Sequence, residues 1–163
     1  MSRAGTIDGP QLARDRGTVS GTLGIGALPR LAASGCEAAT LRYRVRGAVN
    51  AAGRPCLAVE ASGVALLACQ RCLDPVEFPV ELSVELELAA SEREIVEADD
   101  DVDRVLATNA MDVALLVEDE VLLGLPMAPM HERCEPDVGQ GAANRAAPFA
   151  ALAGLRKGGG GDD

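Results

Sequence analysis

From Val80 to Leu88 the chain reads VELSVELEL, with aliphatic residues at Val80, Leu82, Val84, Leu86 and Leu88 and polar ones at Glu81, Ser83, Glu85 and Glu87. A helix would scatter those glutamates around its circumference, whereas a strand sends alternate side chains to opposite faces. The segment is therefore predicted to be a strand, with the aliphatic set buried and Glu81, Ser83, Glu85 and Glu87 facing water. Upstream, TLRYRVRGAV alternates in the same way: Leu41, Tyr43 and Val45 fall on one face, Arg42, Arg44 and Arg46 on the other. NAAGR then supplies a turn in which Gly53 can take positive φ. PCLAVEASGVALLAC returns as a further strand, with Gly63 predicted to form a bulge. Three strands with short connections predict an antiparallel meander over about residues 41 to 89.

Beyond the meander the period changes to that of a helix. In MDVALLVEDEVLLGL, Val113, Leu116, Val117 and Val121 recur at helical spacing, Asp112 sits where a carboxylate suits the helix dipole, and Pro126 forbids continuation. The helix is expected from about Asp112 to Leu123, packed on the sheet. TVSGTLGI reads as a short strand weakened by glycines, and ALPRLAAS as helical turns that bury Leu28 and Leu31. The acidic run Glu92 to Asp103 reads as a solvated loop, and PFAALAGLRK as a short terminal helix. Residues 1–16 and 158–163 read as flexible tails around a single domain at 17–157. Strands followed by helices make the fold class α+β.

Composition narrows the function. With 163 residues, 48% of them apolar but only 2% aromatic, a core is feasible and must consist of valine, leucine and alanine. A net charge of −10 argues against a general polyanion binder. No apolar run approaches the roughly 18 residues of a membrane span. The first residues lack the apolar segment of a secretory signal, so a cytoplasmic protein with reduced cysteines is expected.

Two fragments carry candidate chemistry. ACQRC places Cys69 and Cys72 three apart at a strand end, and MHERC places His131, the sole histidine, three before Cys134. Together they offer four zinc ligands in two pairs of knuckle-like spacing, provided that the 58 residues between the pairs fold back. A thiol–disulfide redox pair would instead need a helix N-terminus to acidify its first thiol, and strands flank this pair on both sides. Covalent Cys–His catalysis would need an orienting group and an oxyanion hole, neither of which the sequence marks. Buried thiols beside a hydrogen-bonded histidine are the alternative to a metal, and the sequence leaves that choice open. Arg42, Arg44 and Arg46 form the compact basic stripe. They either contact RNA or a partner, or balance the glutamates of the third strand across the same sheet.

The fragments ACQRCLDPVEFPV, VEDEVLLGLPMAPMHERCE and PFAALAGLRK resemble the YceD family of large ribosomal RNA subunit accumulation proteins, with a weaker likeness back to about Gly17. The resemblance implies a bacterial, non-enzymatic factor for synthesis, processing or accumulation of 23S rRNA. Its partners would be the large-subunit precursor, rRNA or ribosome-assembly proteins, with no small-molecule substrate and no membrane. Cys69, Cys72, His131 and Cys134 match the family's cysteine and histidine positions. Two other functions stay open: a zinc-stabilised protein-binding module unrelated to ribosomes, and a thiol oxidoreductase.

Overall fold

The computed structural model describes residues 5–98 and 101–134. In chain order the elements are β1 (Thr6–Ile7), α1 (Gly9–Asp15), β2 (Thr18–Gly24), α2 (Pro29–Ala33), β3 (Ala38–Val49), β4 (Pro55–Ala68), β5 (Pro75–Ala89), α3 (Glu92–Val96), β6 (Arg104–Leu106), β7 (Met111–Asp112) and α4 (Val113–Gly124). Five strands form the main sheet in the order β2-β3-β4-β5-β6; β1 pairs with β7 in a small separate ribbon. Neighbours run antiparallel except β5 and β6, which are parallel. The mostly antiparallel sheet with a few helices is the α+β class.

Strand alternation sets the two faces. Leu41, Tyr43 and Val45 of β3, Leu57, Val59 and Ala61 of β4, and Val80, Leu86 and Leu88 of β5 point into one core. Helix α4 closes it with Val113, Leu116, Val117 and Val121, all buried. Its first turn is capped as the sequence suggests: the Asp112 carboxylate accepts from Ala114 N at 2.8 Å and Leu115 N at 3.3 Å. Leu28 and Leu31 are both fully buried around α2, and Gly53 has φ of 78° in the β3–β4 turn.

Several expectations are corrected. The stretch expected to be a flexible tail holds β1 and α1. Asp8 caps α1 by accepting from Gln11 N at 2.7 Å, Pro10 suits the first turn, and Ala13 is fully buried against the sheet. A short helix of this kind is stabilised by docking rather than by propensity, so composition alone does not reveal it. Gly47 is what lets α1 dock so closely: a Cβ there would stand 2.0 Å from the Leu12 carbonyl oxygen. Gly47→Ala is therefore expected to cost about 1–3 kcal/mol, read as a lower melting temperature, because it overpacks a rigid backbone contact.

Gly63 is no bulge. It sits in an unbroken ladder between Leu41 and Val80, and is needed because a Cβ would lie 2.0 Å from the Thr40 carbonyl oxygen. Leu82 and Val84 are half-buried rather than buried, while Glu87, expected in water, is only 4% exposed. The acidic run begins with α3, whose first turn is capped by Ser91, and β6 follows it. The expected terminal helix PFAALAGLRK and the tail 158–163 lie outside the described residues. Among the described residues no helix is long and apolar enough to cross a membrane.

Candidate metal centre

The turn joining β4 to β5 is built around Cys69. Its N–H donates to the Asp74 carbonyl at 2.9 Å, and its carbonyl accepts from Leu73 N at 2.9 Å. This closes the chain so tightly that Leu73 takes φ of 66°, a left-handed conformation that costs a branched side chain about 1–2 kcal/mol. Leu73 is 64% exposed and contributes little burial in exchange. Leu73→Gly is expected to stabilise the turn by about 1 kcal/mol and raise the melting temperature by about 2–4 °C.

The other half arrives from the end of α4. Pro126 and Pro129 cannot continue a helix, and the segment folds back over the turn. Gln70 N donates to the Pro129 carbonyl at 2.8 Å, and an Arg71 guanidinium N–H to the Cys134 carbonyl at 3.2 Å. These bonds bring the two fragments together. Cys69 Sγ lies 3.7 Å from Cys134 Sγ, and Cys72 Sγ 3.4 Å from His131 Nδ1. The four ligand atoms all fall within 4.8 Å of one another. A tetrahedral ion with metal–sulfur bonds of about 2.3 Å and metal–nitrogen bonds of about 2.0 Å has edges of about 3.5–3.8 Å. Two contacts already have that length, and the group could hold a metal ion.

The outer contacts fit a ligand role. His131 Nε2 is 3.1 Å from the Pro75 carbonyl oxygen. A carbonyl can only accept, so a hydrogen bond there puts a proton on Nε2, and a neutral ring held this way offers its Nδ1 lone pair to a metal among the cysteines. Backbone N–H groups of Cys72, His131 and Arg71 converge on the Cys69 sulfur. Led by that of Cys72, and against the opposing effect of burial, they hold the thiol down at about 5. Cys72 moves the other way. The Asp74 N–H draws it down, but burial and the sulfurs of Cys69 and Cys134 outweigh that and push it up to about 11. Three sulfurs this close accept one negative charge readily and resist a second, a conflict that a cation among them removes.

The arginine stripe stands elsewhere, on the solvent face of β3. Each arginine is exposed and sits opposite a hydroxyl residue of β2: Arg42 with Thr22, Arg44 with Ser20, Arg46 with Thr18. On the other side, β4 places Ser62, Glu60 and Ala58 opposite the same three. Only Arg44 thus faces an acid directly, Glu60 at 3.5 Å, with both side chains well exposed. The glutamates of β5 lie one strand further away, Glu81 opposite Ser62 and Glu85 opposite Ala58. The face is thereby split into a basic side and an acidic side rather than neutralised pair by pair.

Two buried carboxylates escape a reading from strand and charge patterns. Glu118, only 1% exposed, accepts from Arg30 N at 2.8 Å and Leu31 N at 2.9 Å, capping the first turn of α2 from α4. Its signal was a carboxylate beside Val117 and three before Val121, on the apolar stripe of a helix. Glu87 accepts from Arg54 Nε at 2.7 Å, Arg104 Nε at 3.1 Å and Asn50 Nδ2 at 3.0 Å. Nothing local in the sequence marks it, since its partners come from a turn and a later strand.

Residues 57–156 match the family described as "Large ribosomal RNA subunit accumulation protein YceD". The match takes in nearly all of β4, and β5, α4 and all four candidate metal ligands, and begins beyond the arginine stripe. No curated protein and no solved structure matches the chain.

Proposed function

The chain belongs to the YceD family, and from that membership we propose that it is a bacterial cytoplasmic, non-enzymatic factor supporting accumulation of 23S rRNA. The observation that carries this reading is the family match itself, which covers well over half of the chain and spans both halves of the metal centre. The expected partners are the large-subunit precursor, its rRNA or its assembly proteins, met in part through Arg42, Arg44 and Arg46. In a host depleted of its own family member, this chain is expected to restore the ratio of 23S to 16S rRNA. A ratio that stays low although the folded protein is expressed would overturn the proposal.

The metal we assign is zinc. Three thiolates and one imidazole suit a tetrahedral zinc site better than the oxygen-seeking ions. Four protein ligands leave no open position for water or substrate, so the ion's work is structural. It would clamp the segment after α4 onto the β4–β5 turn. The oxidoreductase alternative is tested by insulin reduction: activity that disappears in Cys69→Ser would support it and count against the zinc assignment.

A further inference from the structure

We propose that the outer edge of β2 receives an extended, acidic segment of a partner protein as a sixth strand, its carboxylates drawn to Arg42, Arg44 and Arg46. This rests on the partner role proposed above and specifies the chemistry of one partner.

The two long edges of the sheet are built differently. Over Pro75 to Leu86, β5 has no outer neighbour among the described residues, since β6 pairs only with Glu87 to Ala89. That edge is blunted by Pro75 and Pro79, which lack an N–H, and by Glu77, Glu81 and Glu85. The β2 edge carries no such protection. Thr18 to Gly24 reads TVSGTLG, with no charge and no proline, and among the described residues β2 pairs with β3 alone. Exposed edges of this composition invite strand addition.

Register shows which groups are on offer. Gly47 N donates to the Gly17 carbonyl at 2.9 Å, so the pair 17/47 exchanges hydrogen bonds. With the two-residue period of an antiparallel ladder, Val19, Gly21 and Leu23 then bond to β3. Thr18, Ser20 and Thr22 turn their N–H and C=O groups outward. Their side chains lie on the solvent face directly opposite Arg46, Arg44 and Arg42. An added strand would lie about 10 Å from β3. The intervening hydroxyl side chains are short enough for arginines to reach over them to glutamates at alternate positions.

The core-side face favours apolar residues at the positions in between. Val19 is half-buried there. At Gly21, the missing side chain is replaced by the ring of Tyr43, whose hydroxyl would stand 2.8 Å from a Cβ on that glycine. The Tyr43 side chain thus runs beneath Gly21 toward the edge. An incoming strand would cover Val19 and offer a carbonyl to that hydroxyl. RNA phosphates could use the arginines, but would leave the outward β2 backbone groups and Val19 unmatched, and the net charge of −10 works against a long polyanion.

The test uses the zinc-loaded full chain and a fluorescein-labelled peptide alternating glutamate with valine and threonine. Binding is expected to slow amide exchange at Thr18, Ser20 and Thr22, and to weaken at least tenfold in the Arg42→Ala/Arg44→Ala/Arg46→Ala protein. A peptide with lysine in place of glutamate should not bind. Ser20→Pro, which removes an outward N–H and no ladder bond, should abolish binding while thermal melting stays cooperative. Peptide binding that survives Ser20→Pro in the folded protein would sink the proposal. So would arginine-dependent binding of a uridine oligonucleotide without peptide binding, or concentration-dependent protection of β2 with no peptide, which would make a second copy the occupant. If Ser20→Pro loses the peptide yet restores 23S rRNA fully, the edge partner is not needed for that task, and the family function stands without it.

Discussion

Treating the zinc-loaded protein with a strong chelator is expected to lower its melting temperature by about 8–16 °C. At free zinc a thousandfold above its dissociation constant, mass action stabilises the folded state by about 4 kcal/mol, and for a chain of this size each kilocalorie is worth about 2–4 °C. The loss should concentrate where the ion acts. Amides from Gln70 to Leu73 and from Met130 to Cys134 should exchange faster, while the β3–β4 ladder, supported by its own core, should change least. Cys134→Ser should bring the protein close to its chelated state, and a chelator should then add little, because both changes remove the same tetrahedral set. Elemental analysis of the reduced protein should find one zinc per chain. Purified protein that holds no zinc and ignores the chelator would return the four residues to ordinary buried packing.

Acidity should act on the same centre with a definite sign. Zinc needs deprotonated thiols and a neutral imidazole, so its binding releases protons and its stabilisation weakens as pH falls. The metal-free protein should behave differently. Cys69 is held down at about 5 by the N–H groups around it, led by that of Cys72. Its contribution is fully present above about pH 9 and is lost as pH falls through about 5. Cys72 is pushed up to about 11: burial and the neighbouring sulfurs outweigh the Asp74 N–H. Its neutral form stabilises fully below about pH 9, and that contribution is lost as pH rises through about 11. Thermal melts across this range, with and without zinc, should separate the two patterns.

The elements readable from sequence are those whose side chains report their own surroundings. A period of two in β3 and β5 reports one wet face, and the spacing of Val113, Leu116, Val117 and Val121 with Asp112 ahead reports a capped helix. The candidate metal centre is half legible. Each pair of ligands announces itself by its spacing, but their convergence depends on Pro126 and Pro129 turning the chain back, which no local pattern encodes. α1 was missed because its order comes from the close approach at Gly47, a residue whose importance lies in an atom it lacks. The alternation in β5 failed at Glu87 for a related reason. Alternation predicts which way a side chain points, and Glu87 does point away from the aliphatic face. It cannot predict that other parts of the chain will cover that side.

Replacing Glu87 with alanine is accordingly expected to cost about 3–5 kcal/mol, or about 6–20 °C in melting temperature, far more than Glu85→Ala two residues away. Glu87 ties two other parts of the chain to β5. Arg54 and Asn50 reach it from the β3–β4 turn, Arg104 from β6, and its own backbone N–H donates to the Asp103 carbonyl at 2.9 Å. Arg54 is 43% exposed and can rehydrate when the carboxylate is removed, so its share of the loss is small. Arg104 is only 11% exposed, so water screens its ion pair with Glu87 poorly and the pair is the stronger of the two. Most of the cost should therefore come from Arg104. A double-mutant cycle with Arg104→Ala checks this: removing both partners should restore about 0.5–3 kcal/mol of what the single change loses. If Glu87→Ala melts alongside Glu85→Ala, the arginines find water without unfolding, and β6 is held by its ladder to β5 rather than by buried charge.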